Sequence, residues 1–299
     1  MPTRTLGVLG VPSSAAAHAP GLERSPAALR AAGLVPALER TRRRVVDHGD
    51  TTLARWRPDP PEHTTPHDVH RVAAVLQEAR SALAPVLSAG HVPVVLGGEC
   101  TVTLAVLAAC ADAGRDLGLV YVDGGQDLQL PADHPEEPIA DSMGVAHLLD
   151  LPGTHDVLAG LGPRRPLLTA ARLCFVGFAD AEEDVHGLVP SVRIPASTVL
   201  ADPAAAAHRA VTAVGAAADG FLVHLDVDVL DMFTLALADI PQYRSGLTPP
   251  VLTDLLATLA AAPGWSGLVV AEANPDRDDE HGTSTRTLVG LLEAALTTS

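Results

Sequence analysis

The segment Val120-Tyr-Val-Asp123-Gly-Gly-Gln-Asp127 joins a short apolar run to two spaced aspartates. A second segment of the same kind, Leu222-Val-His-Leu-Asp226-Val-Asp228, follows later in the chain. Both are typical of buried strands that end in acidic side chains. Buried carboxylates repel one another unless a metal ion lies among them, arginines pair with them, or some hold protons. The chemistry of this protein depends on which of these alternatives holds.

The rest of the chain alternates between apolar strands and helices, which predicts a single-domain α/β fold over residues 1–299. We expect a three-layer, doubly wound, mostly parallel sheet. The predicted strands are Thr5–Pro12, Arg44–Asp47, His91–Leu96, Leu117–Val122, Leu173–Gly177, Val192–Ile194, Gly220–Val227 and Gly267–Glu272. The predicted helices are one that starts at Ser25, then Asp68–Ala89, Thr101–Ala113, Ser142–Leu149, Asp202–Asp219, Pro249–Ala261 and Thr285–Leu296.

In such a sheet the ligand site lies beyond the carboxyl ends of the strands. Six candidate residues follow or finish predicted strands, so we expect them to gather at one edge: Cys100, Asp123, Asp127, Asp226, Asp228 and Glu272. Cys100 is interpreted either as a buried core thiol or as a metal ligand. His224, within a strand, and His147, within a helix, are interpreted as packed core histidines.

Composition excludes several classes of function. The formal net charge of −16 argues against nucleic acid or an anionic membrane as the main partner. The chain has no lysine, so neither a Schiff-base lysine nor a P-loop lysine is available. The three cysteines form neither a disulfide framework nor a CxxC pair. No apolar run could cross a bilayer, and the N-terminus lacks a secretion signal, so we expect a cytoplasmic protein.

Six motifs in order give the chain a family resemblance. They are Leu9-Gly-Val-Pro12, Asp47-His-Gly-Asp50, Leu96-Gly-Gly-Glu-Cys100, Asp123-Gly-Gly-Gln-Asp127, Asp226-Val-Asp-Val-Leu-Asp231 and Glu272-Ala-Asn-Pro275. Together they resemble the ureohydrolase superfamily of arginases and agmatinases, across nearly the whole chain.

The resemblance implies hydrolysis of a C–N bond in a guanidino or amidine compound. In that family two Mn²⁺ ions, bridged by carboxylates, activate the attacking hydroxide. Carried over to this sequence, Asp123 and Asp226 would bridge the two metals. Asp127 would complete the first site and Asp228 the second, while Glu272 would face the cationic nitrogen of a small-molecule substrate. The resemblance also implies a homo-oligomer.

The metal ligands depart from the family pattern at two positions. Cys100 and Gly125 stand where the family has histidines. Because Mn²⁺ prefers oxygen and nitrogen donors, a site of Cys100, Asp123, Asp127 and Asp226 would favour a softer metal. The second site would keep only carboxylates and bind weakly, unless His134 from the following loop replaced the lost imidazole. We therefore expect one divalent ion, two bound unequally, or none.

The substrate loop departs as well. Gln129-Leu-Pro131-Ala-Asp-His-Pro-Glu-Glu137 is acidic, which argues against free arginine and favours another substrate in a specialised pathway. Asp141 stands roughly where arginases place a proton-shuttling histidine. With Asp127 and Glu272 it makes up the set of catalytic candidates. Glu272 could alternatively pair with an arginine such as Arg286. Two other functions stay open: metal-free acid–base chemistry in the same pocket, and a non-catalytic partner of a complex.

Overall fold

The computed structural model describes residues 4–181, 187, 189–215 and 219–297. One sheet contains the strands β1 Leu6–Gly10, β2 Val45–Asp50, β3 Val92–Leu96, β4 Gly118–Val122, β5 Leu173–Val176, β6 Val192–Ile194, β7 Phe221–Asp226 and β8 Trp265–Ala271. Their order is β2-β1-β3-β8-β7-β4-β5-β6, and neighbouring strands pair in parallel throughout. The predicted sheet is therefore confirmed.

The helices are α1 Ser25–Ala31, α2 Leu34–Arg40, α3 Val69–Ser88, α4 Val102–Asp112, α5 Gly144–Leu148, α6 Asp156–Ala159, α7 Ala196–Ala201, α8 Pro203–Gly215, α9 Pro249–Ala261 and α10 Thr283–Leu296. The short helices α2, α6 and α7 were not predicted. The prediction of one helix over 202–219 is wrong at its first residue. The backbone of Asp202 is extended, so it separates α7 from α8, and α8 begins at Pro203. Residues 216–218 of that prediction lie outside the described residues.

Two apolar cores lie on opposite faces of the sheet, because successive strand side chains point to opposite sides. Along β3, Val94 and Leu96 belong to one core, whereas Val95 belongs to the other. The first core contains buried residues of α2, α8, α9 and α10, and the second those of α3, α4 and α5. Helices thus cover both faces, which confirms the three-layer, doubly wound architecture.

Within the described residues, no helix combines the length and the apolar character that crossing a bilayer would require.

The four central strands, β3, β8, β7 and β4, are neighbours and point the same way. Their carboxyl ends therefore meet at one edge of the sheet. Cys100, Glu272, Asp226 and Asp123 follow or finish these strands, and all four are buried. Burial of three carboxyl groups at adjacent strand ends is what the sequence motifs predict.

Candidate metal centre and active site

A cavity of about 230 Å³ opens beyond the carboxyl ends of the central strands. Its wall contains six carboxyl groups, those of Asp123, Asp127, Asp141, Asp226, Asp228 and Glu272. Cys100, Gly125 and uncharged side chains complete the lining, and none of the described lining residues is basic. The structure thus brings all the sequence-predicted site residues to one place, and the arginine-paired alternative finds no support in this wall.

The turn after β3 places Cys100 in the cavity. A Cβ atom at Gly98 would lie 1.6 Å from the carbonyl oxygen of Ser13, so only glycine allows this approach. The Cys100 N–H donates to Asp141 Oδ1 at 2.7 Å, and its thiol donates to Asp226 Oδ2 at 3.0 Å. Burial, with Asp226 as the next largest cause, raises the pKa of this thiol well above its ordinary value.

The aspartates at the ends of β4 and β7 each use one oxygen to accept a backbone N–H. Asp123 Oδ1 accepts from Gly125 at 2.5 Å, and Asp226 Oδ1 accepts from Asp228 at 2.7 Å. Asp228 Oδ1 accepts from Gly124 at 2.8 Å. Asp123 Oδ2 is buried and has no hydrogen-bond partner among the described residues. A buried, unpaired carboxylate oxygen is costly, and a cation is the natural partner for it.

Burial raises the pKa of four carboxyl groups in the cavity wall. It raises the pKa of Asp123 and of Asp226 well above that of an ordinary aspartate, and the nearby Asp228 adds to both effects. Burial likewise raises the pKa of Glu272, with Asp141 as the next cause. The pKa of Asp141 rises to about 6, again because of burial. The carboxyl groups are therefore poorly compensated by the protein itself.

Two of the cavity residues have a backbone conformation that residues other than glycine rarely adopt. Asp127 has φ 50° and Glu272 has φ 61°, both in the left-handed region. The Tyr121 hydroxyl donates to Asp127 Oδ2, and the Ala146 N–H donates to the Asp127 carbonyl oxygen at 3.2 Å. Such strained conformations cluster at functional sites, where the surrounding structure holds them in place.

His224 is the cavity neighbour that sequence reasoning missed. Its predicted burial is confirmed, but Nε2 lies 3.4 Å from Cys100 Sγ and 3.8 Å from Asp123 Oδ2. Donor atoms of Cys100, Asp123, His224 and Asp226 all lie within 4.8 Å of one another. His224 is thus a packed core histidine, as predicted, and its ring also lies beside the buried acidic cluster. His224 and Asp226 are two residues apart and share a strand face, but this spacing does not show which strands lie beside β7.

Other predicted ligands lie around this group. Asp127 and Asp228 line the same cavity but do not belong to the four-residue group found among the described residues. A second set of donor atoms, from Cys100, Asp141 and Glu272, also lies within 4.8 Å of one another.

Three alternatives from the sequence can be compared with the structure. His134 is exposed and pairs with Glu136 at 3.2 Å. It is absent from the described cavity lining, so it does not take the place of a missing histidine ligand in this structure. Arg286 donates to the carbonyl oxygen of His281 and to Thr283 rather than to Glu272. His147 is a packed helix residue as predicted, with Nδ1 2.8 Å from the Met143 carbonyl oxygen.

The acidic loop contributes less to the cavity than its sequence indicated. Of residues 129–137, only Gln129 is among the described lining residues. The Asp133 carboxylate instead accepts the Leu130 N–H at 2.6 Å. The acidity of the cavity therefore comes from the strand ends and Asp141, not from this loop.

An all-parallel, doubly wound sheet with a carboxylate-lined cavity at its carboxyl edge places the candidate site where α/β folds of this class bind their ligands. The model of the Arginase family matches residues 4–297. The chain belongs to the arginase family, which confirms the resemblance found in its motifs.

Individual relatives agree with this assignment. The arginase of Brevibacillus brevis is 27% identical over 312 residues, which cover 97% of each chain. The solved arginase of Bacillus caldovelox has a TM-score of 0.87 at 20% identity and covers 99% of each chain. The proclavaminate amidino hydrolase of Streptomyces clavuligerus has a TM-score of 0.72 at 20% identity, covering 98% of this chain and 90% of that one. At these identities the two structures show the fold alone.

Proposed function

We propose that the protein hydrolyses a C–N bond in a small guanidino or amidine compound other than free arginine. The observation that carries the proposal is the cavity wall of six carboxyl groups without a basic residue among the described lining. Relatives named arginase and proclavaminate amidino hydrolase support the reaction type. A planar cation that donates several N–H groups is the ligand such a wall favours.

The donor set also fits a divalent cation, Mn²⁺ or another. Asp123 Oδ2 is a buried oxygen without a partner, and it lies in the group of closely spaced sulfur, nitrogen and oxygen atoms. Cys100, Asp123, Asp127 and Asp226 would hold the ion, and Asp228 would assist at a weaker second position. When bound, the ion would supply Lewis acidity and a water of lowered pKa at the cavity wall.

Two acidic residues would handle the substrate. Glu272 Oε1 is buried without a hydrogen-bond partner among the described residues, so it can accept an N–H of the guanidinium group. Asp141, with its pKa raised to about 6, can hold a proton near neutral pH and deliver it to the leaving nitrogen. Asp127 would be held in place for this reaction by the Tyr121 hydroxyl.

Free arginine is disfavoured because its α-carboxylate would enter a cavity whose described lining has six carboxyl groups and no basic residue to pair with it. A buried carboxylate without a cationic partner costs several kcal/mol, and about 2.8 kcal/mol already corresponds to a 100-fold loss of affinity. We expect agmatine, which lacks that carboxylate, to have a kcat/KM about 100-fold above that of arginine.

The test is urea or ammonia release from a panel of guanidino and amidine compounds, with protein loaded with Mn²⁺ or Zn²⁺. Turnover of at least one carboxylate-free compound, abolished in Asp226→Asn, would support the proposal. Arginine as the best substrate would contradict the proposed selectivity. No turnover across the panel by metal-loaded protein would favour a non-catalytic partner instead.

The loss of histidine at Cys100 and Gly125 motivates a second candidate, metal-free acid–base chemistry by the same carboxyl groups. Treatment with EDTA separates the two. Activity lost with EDTA and restored by a divalent ion supports the metal-dependent reaction, and activity unchanged by EDTA supports the metal-free one.

A further inference from the structure

We propose, on the basis of the hydrolase function above, that His224 is a metal ligand. It would supply an imidazole that the loop after β3 lacks, and with Cys100, Asp123 and Asp226 it would form a mixed sulfur, nitrogen and oxygen site that prefers Zn²⁺ to Mn²⁺. The assignment replaces the expectation that the first site contains no histidine at all.

The positions of the donor atoms are the first argument. The His224 ring approaches the cluster from β7, within the strand that ends in Asp226. Its Nε2 lies 3.4 Å from Cys100 Sγ, so the two donor atoms are in direct contact. Asp123 Oδ2 lies 3.8 Å from the same nitrogen and has no hydrogen-bond partner among the described residues. Together with a donor atom of Asp226, these three donor atoms all lie within 4.8 Å of one another.

The surroundings of the ring are the second argument. His224 Nδ1 lies 2.7 Å from Thr103 Oγ1, and when Nδ1 donates there, Nε2 keeps a lone pair toward the cluster. The ring also stacks on Tyr121, with centroids 4.1 Å apart and planes 6° apart. Histidines that bind metals commonly use their second nitrogen in this way, which fixes both the tautomer and the orientation of the ring.

The chemistry of the donors is the third argument. Thiolate, imidazole and carboxylate together are ordinary ligands of Zn²⁺. Mn²⁺ prefers carboxylate, carbonyl and water oxygens, so a thiolate disfavours it. Binding would release the thiol proton that Cys100 now donates to Asp226. The two substitutions that weaken a manganese site thus leave donors suited to a softer ion.

The test is competition of metal-free protein with a chelating dye, titrated separately with Zn²⁺ and Mn²⁺. We expect Zn²⁺ to bind at least about 100-fold more tightly than Mn²⁺. His224→Gln should weaken Zn²⁺ binding by about 100-fold and Mn²⁺ binding much less. His147→Gln is the matched control, a buried helix histidine outside the cluster, and both affinities should stay unchanged.

Co²⁺ as a probe identifies the ligands without any assay of activity. The Co²⁺ protein should show a thiolate charge-transfer band that disappears in Cys100→Ser. It should also show a paramagnetically shifted, exchangeable proton from the His224 ring, lost in His224→Gln. Thr103→Val should weaken Zn²⁺ binding by about tenfold, and it covers the case in which His224→Gln does not fold.

The outcomes separate this inference from the proposed function. If His224→Gln binds Zn²⁺ like the wild type while Asp226→Asn does not, His224 is not a ligand and the hydrolase proposal survives. Tighter binding of Mn²⁺ than of Zn²⁺, or no thiolate band, also overturns the inference. If Zn²⁺ binds as expected but no compound of the substrate panel is turned over, the metal site stands and the proposed function fails.

Discussion

Asp141→Asn should make the metal-free protein more stable near neutral pH while it impairs catalysis. The asparagine oxygen still accepts the Cys100 N–H, so the local hydrogen bond is kept. What changes is the charge, because burial raises the pKa of Asp141 from 3.8 to about 6. Below 3.8 the carboxyl is protonated in both the folded and the unfolded states. Between 3.8 and about 6 the unfolded state has ionised while the folded state keeps its proton, so the stability of the wild type falls across this window and stays lower above it.

The raised pKa of Asp141 sets the expected gain in the free energy of unfolding. A change from 3.8 to about 6 corresponds to about 3 kcal/mol once pH exceeds 6. For a chain of 299 residues the entropy of unfolding is about 0.6 kcal/mol per degree. We therefore expect Asp141→Asn to raise the melting temperature by about 5 °C at about pH 7.5, and by only about 1–2 °C at about pH 4.5.

The assay is thermal unfolding of chelator-treated protein across this pH range. Asp202→Asn is the matched control, since Asp202 caps the Ala205 N–H at 2.9 Å on the exposed surface. As an exposed surface substitution it should change the free energy of unfolding by less than about 0.5 kcal/mol. A divalent ion should remove most of the advantage of Asp141→Asn, because the ion compensates the cluster. If the wild type and Asp141→Asn show parallel melting profiles over this range, the picture of an uncompensated buried carboxyl is refuted.

Three further substitutions test the architecture of the site. Tyr121→Phe removes the hydroxyl that donates to Asp127, and kcat/KM should fall about tenfold or more in a folded protein, since such a bond is worth about 1.5–3 kcal/mol; unaltered kinetics would contradict a role for this contact. Gly98→Ala would place a Cβ 1.6 Å from the Ser13 carbonyl oxygen, so calorimetry should show a melting temperature several degrees lower, and an unshifted melt would count against this close approach. Gly125→His places an imidazole at the weak second site, and elemental analysis should show the metal content rising from about one to about two ions per chain. If the number of ions per folded chain stays the same, the missing side chain at this position does not limit metal binding at the second site.

The fold could largely be predicted from the sequence because apolar strands and amphipathic helices leave local periodic patterns. The remaining differences between the predicted and observed elements depend on contacts between residues that are distant in the sequence. β2 continues to Asp50, beyond its predicted end, because that residue pairs with Gly10 of β1. The helices α2 and α7 are short and adjoin other helices closely, since α2 follows α1 and α7 precedes α8, so no separate period marked them.

The candidate site was predictable in its acids and not in its histidine. Aspartates at strand ends are conspicuous, because buried strands rarely carry them. A histidine inside an apolar strand gives no such signal. His224 meets the site only because β7 pairs with β4, which places Tyr121 opposite it, and because β3 brings Cys100 nearby. Strand order is a tertiary property, so these contacts could not be inferred from spacing alone. The homo-oligomer and the cytoplasmic location stay predictions.

The most direct measurement of the central claim is anomalous diffraction from crystals grown with equal amounts of Zn²⁺ and Mn²⁺. We expect an anomalous peak at the zinc edge between Cys100, Asp123, His224 and Asp226. Ordered water, or an arginine side chain, at that position in metal-soaked crystals would contradict the claim that these buried carboxyl groups are assembled to bind a cation.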